Sequence, residues 1–162
     1  MPTTRTNKKS KAAKKPRPNR IWVFVQYAVP RRGVPGAALL RKWAHATSVS
    51  AITLRIVGER EGRALNRAFR KKNHATNVLS FPYGRNQGDV VLCHPVIRRE
   101  ARAQGKSLAA HYAHLVVHGC LHLRGYDHEK KRDAARMEAR EIGILRRVGI
   151  GNPYTVESTR QA

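Results

Sequence analysis

Five of the eight histidines lie between residues 111 and 128: His111, His114, His118, His122 and His128. At about 100° per residue, the first four fall within an arc of about 80° on one helix face. Leu108, Tyr112, Leu115, Val116 and Leu123 occupy the neighbouring arc, so the stripe borders buried surface, where a desolvated imidazole needs a partner. His118 and His122 are one helical turn apart, the spacing that lets two imidazoles grip one ion. Gly125 follows and can take the positive φ that ends a helix and turns the chain, bringing His128 toward the same ion. Three neutral nitrogens suit Zn²⁺, and a fourth position left to water makes such a centre catalytic. His111 and His114 lack a ligand set of their own and read as surface or core histidines. Cys120 lies about 160° around the wheel from His118 and reads as a small core residue. In the metalloprotease helix a glutamate follows the first histidine as general base. Gly119 stands at that position here, which argues against peptide hydrolysis.

These residues need a scaffold, and the chain supplies the signals for one. Ile21 to Ala28 is β-branched and aromatic and reads as a strand, followed by a helix over residues 35–47 with Pro35 in its first turn. Ile52 to Val57 alternates as a strand, and Glu59 to Arg70 is an arginine-rich helix with Leu65 and Phe69 at i, i+4. Asn77 to Phe81 and Val90 to Cys93 are strands joined by a turn over residues 83–88. Helices follow from Pro95 to Gln104, from a Ser107 cap to Leu123, and from Glu129 to Val148 before Gly149. The expected fold is an α+β domain: one mixed sheet of about four strands packed with about five helices over residues 21–155. A basic arm, residues 1–20, precedes it and a short tail, residues 156–162, follows.

Charge narrows the partner. The 162 residues hold 33 Lys and Arg against 10 Asp and Glu, a net +23. Eight of those bases lie in residues 1–20, with three prolines and no acid, the composition of a disordered arm. The 25 bases and 10 acids that remain still give +15, so a polyanion, nucleic acid first, is the expected partner. No apolar run approaches membrane-spanning length, and no membrane partner is expected. The apolar stretch Ile21 to Val25 is short, broken by Gln26, and lacks a small-x-small cleavage site, so a strand and a cytoplasmic address are favoured over a secretory signal. Two cysteines, Cys93 and Cys120, cannot build a disulfide framework. There is no aromatic-rich run to serve as a stacking platform, so base-specific reading is expected to be weak.

The run His118-Gly119-Cys120-Leu121-His122-Leu123-Arg124-Gly125-Tyr126-Asp127-His128 resembles the signature of the YbeY family of bacterial rRNA-maturation endoribonucleases. Thr76-Asn77-Val78-Leu79-Ser80-Phe81-Pro82 followed by Gly88-Asp89 resembles that family's other hallmark, and the element order through Asn152-Pro153-Tyr154 is similar as well. The resemblance implies a Zn²⁺-dependent, single-strand-specific endoribonuclease, one ion per chain, acting in small-subunit (16S) rRNA 3′-end maturation and ribosome quality control. It also implies the small ribosomal subunit and an Era-type GTPase as partners. Carried over residue by residue, the metal ligands fall on His118, His122 and His128, and a functionally important arginine falls on Arg70. Lys71-Lys72-Asn73-His74 stands where the family has a glycine and an aspartate, and the basic arm is outside the family pattern.

Zinc would activate water or polarise a phosphate oxygen while Arg70 stabilises the charge that develops. Whether water or the RNA 2′-OH attacks stays open. Lys71, Lys72, Arg98, Arg99 and Arg102 are candidate phosphate contacts. Asp127 either orients an imidazole or stabilises the turn, and Asn77 and Ser80 either line the cleft or pair locally. Two other readings compete: a zinc hydrolase of another substrate such as a peptide, and a non-catalytic rRNA-binding assembly factor whose metal only fixes the fold.

Overall fold

The computed structural model describes residues 21–155; the basic arm and the C-terminal tail lie outside them. Strand β1 (Trp22–Tyr27) leads to helix α1 (Ala37–His45), β2 (Ala51–Val57), α2 (Glu59–Arg70), the hairpin β3 (Val78–Gly84) and β4 (Gln87–Cys93), then α3 (His94–Ala103), α4 (Leu108–Leu123) and α5 (Lys131–Arg147). The sheet order is β1-β2-β4-β3. β2 runs parallel to both β1 and β4, and β3 closes the sheet antiparallel to β4. The expected single mixed sheet with its helices is therefore present, with four strands and five helices among the described residues.

Alternation builds the two faces of the sheet. Val23 and Val25 from β1, Ile52, Leu54 and Ile56 from β2, and Val90 and Leu92 from β4 point into the main core. Leu40, Trp43 and Ala44 of α1 and Met137, Ile144 and Leu145 of α5 close that core around α4. Helix α4 is its axis: ten of its sixteen residues are buried. Ser107 caps it, its hydroxyl accepting from Ala110 N at 3.1 Å, as the sequence predicts. On the opposite face α2 covers a smaller cluster of Val57, Leu79, Val91, Cys93 and Val96. Gly62 allows that approach, since a Cβ there would stand 3.0 Å from Cys93 Sγ.

Boundaries differ in places. The expected loop over residues 83–88 is mostly strand, because β3 and β4 continue to a two-residue turn at Arg85-Asn86, with Asn86 at φ +58°. Pro82 is tolerated within β3 because that strand is an edge. Pro35 lies before α1, whose N-cap is Gly36, and its carbonyl accepts a hydrogen bond from the Tyr27 hydroxyl at 2.8 Å. No helix among the described residues is long and apolar enough to cross a membrane.

Candidate metal centre

The C-terminal end of α4 turns back on itself. Gly125 takes φ +89°, its N–H bonds His122 O at 2.9 Å, and Tyr126 N bonds Leu121 O at 3.0 Å. This paired closure satisfies the last helical carbonyls and leaves the Tyr126 carbonyl beside the helix. There it accepts the Nδ1 proton of His122 at 3.0 Å. Asp127 completes the turn: its carboxylate accepts from the His128 backbone N at 2.7 Å, so it stabilises the loop rather than orienting a ring.

His118 is fixed from the other side. Its Nδ1 lies 2.6 Å from Glu141 Oε1, a carboxylate only 1% exposed. A carbonyl and a carboxylate can only accept, so both rings carry their proton on Nδ1 and their lone pair on Nε2. Those two Nε2 atoms face each other at 3.1 Å. Two acceptors at that distance repel unless a cation lies between them. The separation is close to the roughly 3.3 Å between ligands of a tetrahedral zinc with ~2.0–2.1 Å bonds. The ligand atoms of His118, His122 and His128 all lie within 4.8 Å of one another, so this trio can hold a metal ion. Burial, with the neighbouring His118 and His128, holds the His122 pKa down to about 4, which keeps its imidazole neutral and ready to ligate.

Glu141 is the residue that sequence reasoning missed. It accepts from His114 Nε2 at 3.0 Å, from His118, and from the Tyr154 hydroxyl. Burial alone would raise its pKa, but these bonds outweigh it and hold the carboxyl down to about 2. The signal was available: Glu141 interrupts the apolar stripe Met137, Ile144, Leu145, and a carboxylate on a buried helix face must have a partner. Tyr154, in the Asn152-Pro153-Tyr154 segment, completes the support from outside the helices. His114, whose Nε2 lies 3.0 Å from Glu141 Oε2, also forms with His118 and Glu141 a second group whose ligand atoms lie within 4.8 Å of one another.

Gly119 has a structural cause. A Cβ there would stand 2.7 Å from Val90 Cγ1 and 3.2 Å from Ser80 Oγ, whose hydroxyl donates to Gly119 O at 3.2 Å. Helix and sheet touch at this point, which leaves no room for the glutamate of a metalloprotease. The histidine helix is thus pressed onto β3 and β4, carrying His118 and His122 toward its C-terminal end.

A family model described as Endoribonuclease YbeY matches residues 37–149. The chain is 48% identical over 156 residues to Endoribonuclease YbeY of Xanthomonas axonopodis pv. citri, covering 86% of this chain and 97% of the relative. It is 50% identical over 138 residues to Endoribonuclease YbeY of Nitrosomonas eutropha, covering 82% of this chain and 98% of the relative. The chain belongs to the YbeY family. Its fold is shared with the solution structure of TM1509 from Thermotoga maritima, at a TM-score of 0.53, 21% identity, and coverage of 82% of this chain and 99% of that one.

On this YbeY scaffold the other candidate residues are spread over the surface. Arg70 is exposed at the end of α2, with no hydrogen bond or ion pair to another described residue. Lys71 follows at φ +57° as the left-handed cap, and Lys72, Arg98 and Arg102 are exposed. Arg99 is committed elsewhere: its guanidinium pairs with both oxygens of Glu59 at 2.8 and 2.9 Å. Asn77 donates to both oxygens of Glu100 at 3.0 and 3.2 Å, and Glu100 also lies 2.8 Å from His111 Nε2. Cys120 is fully buried and its thiol pKa is pushed up to about 12 by desolvation, so it is an inert core residue as expected.

Proposed function

We propose that this endoribonuclease holds one Zn²⁺ per chain on His118, His122 and His128 and cuts single-stranded RNA there, in 3′-end maturation of small-subunit rRNA and in ribosome quality control. The observation that carries this reading is the pair of Nε2 lone pairs facing each other at 3.1 Å, with both Nδ1 protons tied down. A bound zinc supplies Lewis acidity toward phosphate and water near neutral pH. The chain's own groups do the rest. Glu141 holds the His118 proton at Nδ1, and Tyr154 and His114 hold Glu141. Arg70, unpaired and exposed, offers a guanidinium to the charge that develops on the phosphate. Lys71, Lys72, Arg98 and Arg102, all exposed, are the candidate contacts for neighbouring phosphates, with Arg99 requiring release from Glu59 first. The small ribosomal subunit and an Era-type GTPase are the partners this reading carries, in the cytoplasm. A peptide substrate is disfavoured because Gly119, pressed against Val90 and Ser80, leaves no room for a general-base glutamate.

Metal analysis and cleavage of an rRNA precursor by purified wild type and His122→Ala, with trace nucleases excluded, test it. The wild type should hold one zinc and cut; the variant should lose the metal and fall to background. Equal cutting by both proteins overturns the reading, and RNA binding without any metal-dependent cutting would leave an assembly factor. Arg70→Ala should keep its zinc and lose cleavage by about 10²–10³-fold. Retained cleavage would remove Arg70 from the chemistry.

A further inference from the structure

Helix α2 carries an apolar stripe that ends in the open. Leu65 packs against the smaller cluster beneath the helix, but Phe69, one turn further on, stands 65% exposed. Its ring meets Phe81 of β3 edge-on, with centroids 4.9 Å apart and planes at 68°. Two residues along the same edge strand, Tyr83 is 66% exposed. The Tyr83 hydroxyl donates to Asp89 Oδ1 at 3.0 Å, and Asp89 is the cross-strand partner of Phe81, so Tyr83 and Phe81 share one face of the hairpin. Three rings from a helix and a strand thus gather at one corner of the sheet, two of them bare to solvent. Bare rings grouped on one surface mark a place where something binds.

The charge at this corner points to one kind of ligand. Residues 67–72 hold Arg67, Arg70, Lys71 and Lys72, all exposed, with Phe69 among them and no acid. The acids of α2, Glu59 and Glu61, lie about 12–15 Å back along the helix axis from Phe69. Each is bonded to an arginine, Glu59 to Arg99 and Glu61 to Arg55. Asp89, the one acid of the hairpin, is engaged by Tyr83, and Arg85 at the turn adds another exposed cation. Cations at a helix C-terminus suit its dipole, which accounts for the charge but not for the bare ring beside it. A hydrophobic protein partner needs the rings but not the cations, whereas a nucleic acid strand needs both. Bases stack on aromatic faces with little regard to sequence, and cations take the phosphates.

We infer that Phe69 and Tyr83 stack bases of single-stranded RNA, with Phe81 backing the Phe69 ring and Arg67, Lys71 and Lys72 meeting the phosphates beside them. The inference takes its ligand class from the endoribonuclease reading above and extends it from charge to base contacts. Arg70 follows Phe69 directly in the chain, which ties the stack to the strand being cut. On the other face of β3, Ser80 donates to Gly119 O, next to His118. The edge strand β3 therefore stands between the rings and the histidines, and RNA lying over that edge can touch both. The fold assembles what the linear sequence disperses: no aromatic-rich run exists, yet Phe69, Phe81 and Tyr83 come from two elements to one corner.

Titration of the metal-stripped full chain with an oligouridylate and with an abasic oligomer of equal length, at one stated salt concentration, tests this without cleavage. The double variant Phe69→Ala/Tyr83→Ala should bind the oligouridylate about tenfold or more weakly than wild type. Wild type should bind the abasic oligomer about as weakly, and the double variant should not distinguish the two. Phe69→Tyr/Tyr83→Phe keeps both aromatic faces and should stay within about threefold of wild type, which guards against misfolding as the cause. Four outcomes overturn the inference: unchanged affinity in the double alanine variant, an equal loss in the variant that keeps its rings, no preference of wild type for the base-bearing strand, or a wild-type dimer that the double alanine variant dissolves. The last would assign the corner to a second copy of the chain. Because no metal is present, the result of the His122→Ala cleavage test leaves these outcomes untouched, and a wild type that cuts RNA without stacking it would sink this inference alone.

Discussion

The two halves of α4 carry the same residue type on the same face and use it in opposite ways. In the N-terminal half, His111 and His114 commit Nε2, the nitrogen at the ring tip, to Glu100 and Glu141. What remains is Nδ1, buried close to the helix without a hydrogen-bond partner. In the C-terminal half, His118 and His122 commit Nδ1, to Glu141 and to the Tyr126 carbonyl, and what remains is Nε2. A lone pair at the ring tip reaches outward and can converge with others; one beside the backbone cannot. Which nitrogen the protein claims therefore separates a histidine whose ring tip is taken from a candidate ligand whose ring tip is open, and sequence spacing alone does not reveal it.

The strongest way to break this contrast is to change the carboxylates. Glu141→Gln removes the charge that fixes the His118 tautomer and should weaken zinc binding by about 10–100-fold. It should also cost about 3 kcal/mol of stability, since charge-assisted hydrogen bonds are worth roughly 1.5–3 kcal/mol each and this carboxylate accepts three. Glu100→Gln, at the partner of His111, should leave zinc affinity unchanged. Competition with a zinc-binding dye measures both. Equal losses would mean that the carboxylates act on the fold as a whole, and the distinction between the two halves would fail.

How far the sequence leads follows the same line between local and distant. His118, His122, Gly125 and His128 were legible because helical spacing and glycine turn chemistry act over a few residues. The strands were legible from alternation, and so was the mixed α+β architecture. Glu141 was not recognised: its place in an apolar stripe marks a buried charge, but its partners lie 23 and 27 residues back along the chain. Asp127 could not be resolved either, because one side chain beside a turn can serve the loop or the ring. The hairpin ran longer than expected because Tyr83 and Gly84 look like loop residues while β4 gives them a pairing partner.

A smaller effect sharpens the contrast through packing. The close approach belongs to the C-terminal half of α4, where Gly119 meets Val90 and Ser80. Gly119→Ala forces a methyl to 2.7 Å from Val90 Cγ1 and should cost about 1–3 kcal/mol. Gly143 of α5 has open space around its Cβ position, so Gly143→Ala should instead stabilise by about 0.5–1 kcal/mol. Thermal unfolding of both variants without metal measures the difference. A neutral Gly119→Ala would show that the helix can lift off the sheet, and His118 and His122 would then not be rigidly placed.

The smallest effect concerns acid. Burial lowers the His111 pKa, against the opposing pull of Glu100. The unfolded chain then takes up a proton near pH 6.5 that the folded chain still refuses, so this residue stabilises the fold above that pH and the contribution is lost as the pH falls toward the lowered value. The midpoint of thermal unfolding should drop between pH 7.5 and pH 5, and His111→Gln should shrink that drop. Comparing pH values within each protein cancels whatever the substitution costs at neutral pH. The shrinkage should be the same with and without zinc, because His111 gives its outer nitrogen to Glu100 and none to the ion. If zinc abolished it, His111 would be coupled to the metal after all, and the two halves of α4 would have to be treated as one site.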